Sequence, residues 1–348
     1  MRQPKKRGFF MHFSATLGHN IKANFFKCKS NNGFESDKNG LADYSPKDRF
    51  WDVHKLQADS VEQIYQTAKE FERYAERISN CSGVLRFAVS EEGAEKNLKL
   101  KEAKFCRVRH CPICQWRRSL MWQARFYTAL PEVLKAHMNT NWLFLTLTVR
   151  NCEIGHLRAT LQDMAKAWQR LIKRKAFKPV NGWIRTTEVT RGKDGSAHPH
   201  FHCLLMVRPS YFKKYYISQS SWIDLWQQCM KVPYSPNIDV RRVKGKKGED
   251  ENQALERAVS ETLKYAVKPR DMISDKDWFL ELTKQVHQLR FIASGGLLKD
   301  ILKENLESNQ DLISENQDNS FSDDKTRLAF NWQSDESRYR RFSEGDIV

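Results

Sequence analysis

The chain has 348 residues, 40% of them hydrophobic, with 59 Lys and Arg against 42 Asp and Glu, a net charge of +17. That size supports a packed core, two globular units and a tail. No apolar run approaches the roughly 18 residues that span a bilayer, and the start of the chain lacks a secretory apolar segment, which reads as a cytoplasmic protein with no membrane contact. Eight cysteines in this setting point to metal or free thiols, not a disulfide framework. From residue 301 onward 6 Lys and Arg face 11 Asp and Glu, which leaves +22 on the first 300 residues. A body this basic is expected to meet a polyanion, nucleic acid above all.

In chain order, residues 1–58 read as a variable, partly disordered lead-in, rich in Ser, Asn, Gly and Asp from Ser30 to Asn39. Ser60-Val61-Glu62-Gln63 is a capping-box pattern, and Ile64, Ala68, Phe71 and Ala75 follow at helical spacing. The spacing predicts a helix to about Ile78. Residues 81–114 read as irregular. Cys111-Pro112-Ile113-Cys114 is a zinc-knuckle pattern, which Cys106 and Cys81 would complete, with His110 as a substitute ligand. A basic, aromatic helix follows over about 115–129. Residues 59–135 thus form a helical, cysteine-rich DNA-binding region with a possible structural Zn²⁺.

Residues 141–149 are the clearest strand. Leu157, Leu161, Met164, Trp168 and Leu171 share one face of a helix over about 157–173. Two strands, 182–190 and 197–207, are joined by Arg191-Gly192-Lys193-Asp194-Gly195-Ser196, whose Gly and Asp are turn residues. A helix (220–230), a strand (238–243), a helix (253–267) stopped by Pro269 and a helix (275–290) follow. This order is α+β on an antiparallel sheet, placed at 136–303. Residues 304–348 are acidic and expected to be mostly disordered, apart from 330–342, which could dock. There is no internal repeat.

His198-Pro199-His200-Phe201-His202 carries the chemistry. On a strand, alternate residues share a face, so three imidazoles line one side. Two imidazoles and a carboxylate with open positions can hold a divalent metal and polarise a phosphate oxygen. His200 and His202 are the best pair; Pro199 can bend the strand at His198. The third ligand depends on the hairpin register. A three-residue loop Lys193-Asp194-Gly195, with Gly195 left-handed, sets Glu188 opposite His200, whereas a two-residue Asp194-Gly195 turn points Glu188 away.

On the predicted helix, Leu255, Val259, Leu263, Ala266 and Val267 fall on one side, and Glu261, Lys264, Tyr265 and Lys268 nearly opposite. Tyr265 therefore lies off the core stripe. A phenol near pKa 10 is a weak nucleophile unless cations assist it. Glu261 could orient or deprotonate a nucleophile, while Lys264 and Lys268 could neutralise phosphate or phenolate. Arg117, Arg118, Arg241 and Arg242 are candidate phosphate contacts, which give affinity and salt sensitivity rather than sequence choice.

Three motifs in order resemble the HUH endonuclease superfamily, and within it the single-tyrosine initiators of rolling-circle plasmid replication. They are Phe144 through Val149, the His198–His202 run, and Glu261 through Lys268 with its Tyr-x-x-Lys. The resemblance covers about residues 81–300. It implies a five-stranded antiparallel sheet with the metal (Mg²⁺ or Mn²⁺) on central strands and the tyrosine on a facing helix. The implied reaction is site-specific nicking of single-stranded or hairpin-extruded origin DNA, leaving a 5′-phosphotyrosyl link and a 3′-OH primer. Host helicase, single-strand-binding protein and polymerase are implied partners. Some relatives place a second tyrosine where Glu261 stands; a glutamate there would let water act at termination. The alternatives are an HUH relaxase or transposase, and a non-catalytic zinc-bearing DNA-binding repressor.

Overall fold

The computed structural model describes residues 39–90, 97–137, 139–264, 266–299, 308–313 and 327–342. The first 38 residues, Tyr265 and most of the acidic tail lie outside the described residues.

Among the described residues the protein is α+β, built on two antiparallel sheets. The strands are β1 (Val84–Ser90), β2 (Asn97–Ala103), β3 (Asn141–Thr148), β4 (Val180–Arg191), β5 (Ala197–Val207), β6 (Ile238–Arg242), β7 (Ile292–Gly296), β8 (Arg327–Gln333) and β9 (Arg338–Phe342). One sheet has the order β6-β3-β5-β4-β7, the other β2-β1-β8-β9. No helix among the described residues is long and apolar enough to cross a membrane.

The five-stranded sheet positions the site. On one face, Leu143, Leu145 and Leu147 of β3 lie beside Phe201, Cys203 and Leu205 of β5. This face packs on the helices Leu157–Leu171 and Gln219–Met230. The Phe201 ring meets Trp168 at 6.4 Å and Trp226 at 6.2 Å, and both tryptophans are fully buried. Each large apolar side chain buried in this way contributes about 2–3 kcal/mol. The opposite face carries Thr146, Thr148, Thr186, Glu188, His200 and His202, and the helix Glu251–Thr262 covers it.

The β4–β5 hairpin closes on the three-residue loop. Gly192 N–H donates to the Ser196 carbonyl (2.8 Å), Asp194 Oδ1 accepts from the Ser196 N–H and hydroxyl, and Gly195 takes φ +83°. A side chain at that φ is strained, so glycine fixes the register. Glu188 therefore pairs with His200, and Thr186 with His202.

Several sequence expectations are corrected. Ser60 does not start a helix. The helix runs Phe50–Gln66, and the Ser60 hydroxyl donates to the Leu56 carbonyl as a mid-helix residue. The lead-in thus ends before a helix that buries Trp51. The segment read as irregular contains β1 and β2, and residues 327–342 of the acidic tail form the β8–β9 hairpin beside β1. The Tyr339 hydroxyl donates to the Ser82 carbonyl (2.6 Å), and Trp332 Nε1 donates to Asp59 (2.8 Å) on the helix Phe50–Gln66. β7 was not foreseen.

The helix expected to reach residue 267 ends at Thr262. Its start is a capping box, with Gln253 N–H donating to Asp250 Oδ1 at 2.7 Å. At its end the Thr186 hydroxyl takes the Thr262 carbonyl (2.5 Å), and Lys268, preceding Pro269, is extended at φ −69°, ψ 134°. The face assignment of Lys264 and Lys268 on a continuous helix does not hold.

Candidate active site

Glu188, His200 and His202 form a buried group whose ligand atoms all lie within 4.8 Å of one another. Glu188 Oε2 is 3.2 Å from His200 Nε2 and 2.9 Å from His202 Nε2. The ring orientations are set from behind. His200 Nδ1 faces the His198 carbonyl at 3.2 Å, and His202 Nδ1 faces the Thr146 hydroxyl at 3.4 Å. The Phe144 ring stacks on His202 at 5.5 Å.

These contacts test the fit of a metal. A carbonyl only accepts, so His200 Nδ1 carries the proton and donates. With Nδ1 carrying a proton, His200 Nε2 can face the Glu188 oxygen at 3.2 Å only through a second proton or through a cation that takes that proton's place. Burial pushes the Glu188 carboxyl up, but hydrogen bonds from His200 and His202 and the nearby Lys264 charge outweigh it and hold the group well below the usual range. Burial lowers the His202 imidazole, with Glu188 opposing. The ionised Glu188 carboxylate and the lowered His202 imidazole are in the donor state a divalent cation requires. The residues fit such an ion, with open positions left for a phosphate.

Lys264 and Lys268 approach the same carboxylate. Lys264 Nζ is 3.0 Å from Glu188 Oε2 and 2.5 Å from Glu261 Oε1, while Lys268 Nζ is 3.8 Å from Glu188 Oε1. Burial works against the Lys264 charge, yet the two carboxylates win and raise its pKa. Tyr265 lies outside the described residues. Its chain neighbour Ala266 is fixed to the sheet, its carbonyl accepting from Val189 N–H at 3.0 Å.

His198, expected among the ligands, stands outside this group. Its Nδ1 meets Asn151 Oδ1 at 2.6 Å, so a side chain from the segment after β3 holds the ring. Sequence reasoning missed Thr146, Thr186 and Asn151. The register would have shown Thr146 and Thr186, which lie directly across from His202 on the two flanking strands.

The four cysteines Cys81, Cys106, Cys111 and Cys114 come together, all buried and all free thiols. Sulfur separations are 3.7 Å for Cys81–Cys114, 3.6 Å for Cys106–Cys114 and 3.7 Å for Cys81–Cys111. A tetrahedral zinc with Zn–S near 2.3 Å would set its sulfurs about 3.8 Å apart. Backbone N–H groups of Cys106 and Arg107 point at Cys81 and Cys114 sulfurs (3.4 and 3.3 Å), and burial pushes the Cys111 thiol up. The set fits a closed structural zinc site. His110 is not among the four.

Arg117 is a correction. It is 1% exposed, Nε donates to the Leu312 carbonyl (2.7 Å) and Nη2 to the Ile313 carbonyl (3.1 Å), and it lies over Trp51 and Trp116. One turn past Cys114, it is drawn inward with the cysteines and cannot meet a phosphate. Arg118 is partly exposed and donates to the Arg107 carbonyl. Arg241 and Arg242 are exposed on edge strand β6; Arg241 pairs with Asp239, and Arg242 donates to Asn141.

The family described as "Replication protein" (Rep_1) matches residues 97–340. A "Protein rep" of Streptococcus pneumoniae serotype 2 is 34% identical over 303 residues, covering 84% of this chain and 92% of that protein. A "Protein rep" of Lentilactobacillus hilgardii is 36% identical over 266 residues (74% and 83%), and a "Replication protein" of Staphylococcus aureus 36% over 221 (60% and 93%). No solved structure matches. The chain belongs to the Rep_1 family of replication proteins, the initiators of rolling-circle plasmid replication.

Proposed function

We propose that this protein nicks one strand of plasmid origin DNA by metal-dependent transesterification through Tyr265, with Glu188, His200 and His202 as the metal ligands. The observation that carries the reading is the meeting of these three ligands with Lys264, the residue next to Tyr265 in the chain, at one carboxylate oxygen. A divalent cation, Mg²⁺ or Mn²⁺, supplies Lewis-acid polarisation of the scissile phosphate.

The Tyr265 phenol oxygen bonds to phosphorus, the P–O3′ bond breaks, and the 3′ oxygen leaves as the hydroxyl that primes synthesis. The phenol proton passes to a base, for which Glu261 is the nearest carboxylate in sequence, and a proton from that acid or from solvent water completes the leaving 3′-OH. Lys264 and Lys268 favour phenolate by charge. At termination water, giving a proton to Glu261 in place of a second tyrosine, bonds to the phosphorus of the regenerated site as its P–O3′ bond breaks. The freed 3′-OH then displaces the Tyr265 oxygen from its phosphorus, which closes the strand and releases the enzyme. We assign this chemistry to residues 136–303, and DNA binding with a structural Zn²⁺ on the four cysteines to residues 59–135. Arg118, Arg241, Arg242 and Lys264 contact phosphates.

The test is incubation with single-stranded origin DNA and Mn²⁺. A covalent protein–DNA adduct should form and be absent from Tyr265→Phe. No metal-dependent cleavage of any candidate origin DNA would sink the reading and favour a repressor. A Glu261→Ala protein that nicks and terminates normally removes the role given to Glu261.

A further inference from the structure

The geometry points to a base-stacking subsite for single-stranded DNA in the cleft between the segment after β5 and the edge strand β6. The inference rests on the reading that the protein acts on unpaired origin DNA, and it adds an aromatic surface beside the Arg242 phosphate contact of that reading.

The cleft has a volume of about 220 Å³, and Phe212, Tyr216, Arg242 and Lys244 are among its walls. Tyr216 is 66% exposed and Tyr215 48% exposed, two of the few large apolar side chains left in solvent among the described residues. They follow the short helix Tyr211–Lys214, in a stretch that turns back before the helix Gln219–Met230. The Tyr216 and Tyr211 rings meet in a T-shaped contact (6.1 Å, 71°), which anchors Tyr216. The Arg242 guanidinium carbon already lies over the Phe212 ring, 4.6 Å from its centroid, so a cation and an aromatic face meet here. The surroundings are cationic: Lys214 sits by the Tyr215 ring at 5.7 Å, and Lys244 lines the cleft.

Exposed aromatic faces between cations suit unpaired bases with their phosphates. Stacking supplies sequence-tolerant affinity, and the cations track the backbone. The position also connects to the metal ligands. On β6, Arg241 shares the His202 face of the sheet while Arg242, the next residue, faces the other way. β6 is the sheet edge, so a strand leaving the ligand group can pass Arg241, round the edge and lay bases on Tyr216.

The test uses the full zinc-loaded chain with Tyr265→Phe, without added Mg²⁺ or Mn²⁺, and a fluorescent oligo-deoxythymidylate of roughly 12 nucleotides. Binding is read by anisotropy, so the result does not depend on whether nicking occurs. Tyr216→Ala should weaken single-strand affinity about tenfold, while Tyr216→Phe and Tyr216→Trp retain it. Duplex affinity and the melting temperature should not move, because the ring is largely exposed. Unchanged single-strand binding by Tyr216→Ala overturns the proposal, as does an equal loss on duplex and single strand. If the chain with Tyr265 intact forms no tyrosyl adduct with origin DNA and Mn²⁺ while the stacking result stands, that counts against the nicking reading alone.

Discussion

The Thr186 hydroxyl donates to the Thr262 carbonyl at 2.5 Å, and three residues along β4 the Val189 N–H donates to the Ala266 carbonyl at 3.0 Å. These two bonds bracket Tyr265 in sequence and tie its flanks to the strand that carries Glu188. Replacing Thr186 with Val keeps the shape and strands the buried carbonyl, at a cost of about 1–3 kcal/mol. We predict a slower rate of tyrosyl–DNA adduct formation, with Mn²⁺ affinity held within about twofold, since Thr186 is no ligand. An adduct rate equal to wild type, alongside reduced stability in urea, would show the clasp to be purely structural.

Glu188→Gln removes the one carboxylate that both imidazoles and both lysines address. Loss of even a supporting partner of a metal ligand costs about 10–100-fold in affinity, and loss of the ligand itself is expected to cost at least that much. Mn²⁺ titration by calorimetry should show the fall, while Tyr265→Phe keeps wild-type affinity. Equal Mn²⁺ binding by Glu188→Gln would remove Glu188 from the site.

Cys114 lies close to the sulfurs of both Cys81 and Cys106, so Cys114→Ser opens the cluster. Structural zinc sites contribute on the order of 10 kcal/mol of apparent binding energy in isolated peptides. The expected outcome is loss of bound zinc by metal analysis, a lower melting temperature, and no further drop on adding chelator. A wild-type protein that melts identically with and without chelator would rule out a structural metal here.

The hairpin was only partly legible: Gly195 suits both the three-residue loop and a two-residue Asp194-Gly195 turn, and the structure selects the first, with Asp194 bonded to Ser196 and Glu188 opposite His200. The strand and helix order of residues 141–230 was legible from periodicity, since each element buries one clear face. The second sheet was not, because β1 finds its partner β8 about 240 residues later and neither strand can bury its face alone. The end of the Glu251–Thr262 helix was hidden for a related reason. Its apolar spacing continues to Val267, but a hydroxyl from another strand takes the Thr262 carbonyl. Arg117 reads as surface charge in sequence, and only the inward pull of the adjacent cysteines shows otherwise.

Two buried histidines make stability acid-sensitive. Burial pushes His110 down to about 3 and His54 down to about 4, and neither ring nitrogen of His110 has a partner among the described residues. Above the ordinary imidazole value near 6.5 both folded and unfolded chains are neutral here. Below it the unfolded chain gains protons that the folded chain refuses, so stability falls by about 1.4 kcal/mol per pH unit per histidine. That loss continues down to about pH 4 for His54 and about pH 3 for His110. His110→Phe should therefore lose about 2 kcal/mol less than wild type between pH 8 and pH 5. Parallel losses in the two proteins would contradict this.

Arg117 and Arg241 should separate by phenotype. Arg117→Ala strands two buried carbonyls, those of Leu312 and Ile313, and is expected to destabilise by about 3 kcal/mol or more. Arg241→Ala should leave the melting temperature alone, weaken DNA binding across sequences, and reduce the salt slope by about 1. Filter binding across a salt series distinguishes them.

Because β1 pairs with β8, the unit holding the cysteines cannot close until the chain has been made to residue 333. At about 5–20 residues per second, the gap of about 240 residues leaves that strand edge open for roughly 12–50 seconds on the ribosome. During that interval the five-stranded sheet, complete by Gly296, can already assemble. The nascent protein would thus bring Glu188, His200 and His202 together before its thiols are enclosed, and chaperone demand should concentrate on the N-terminal third of the chain.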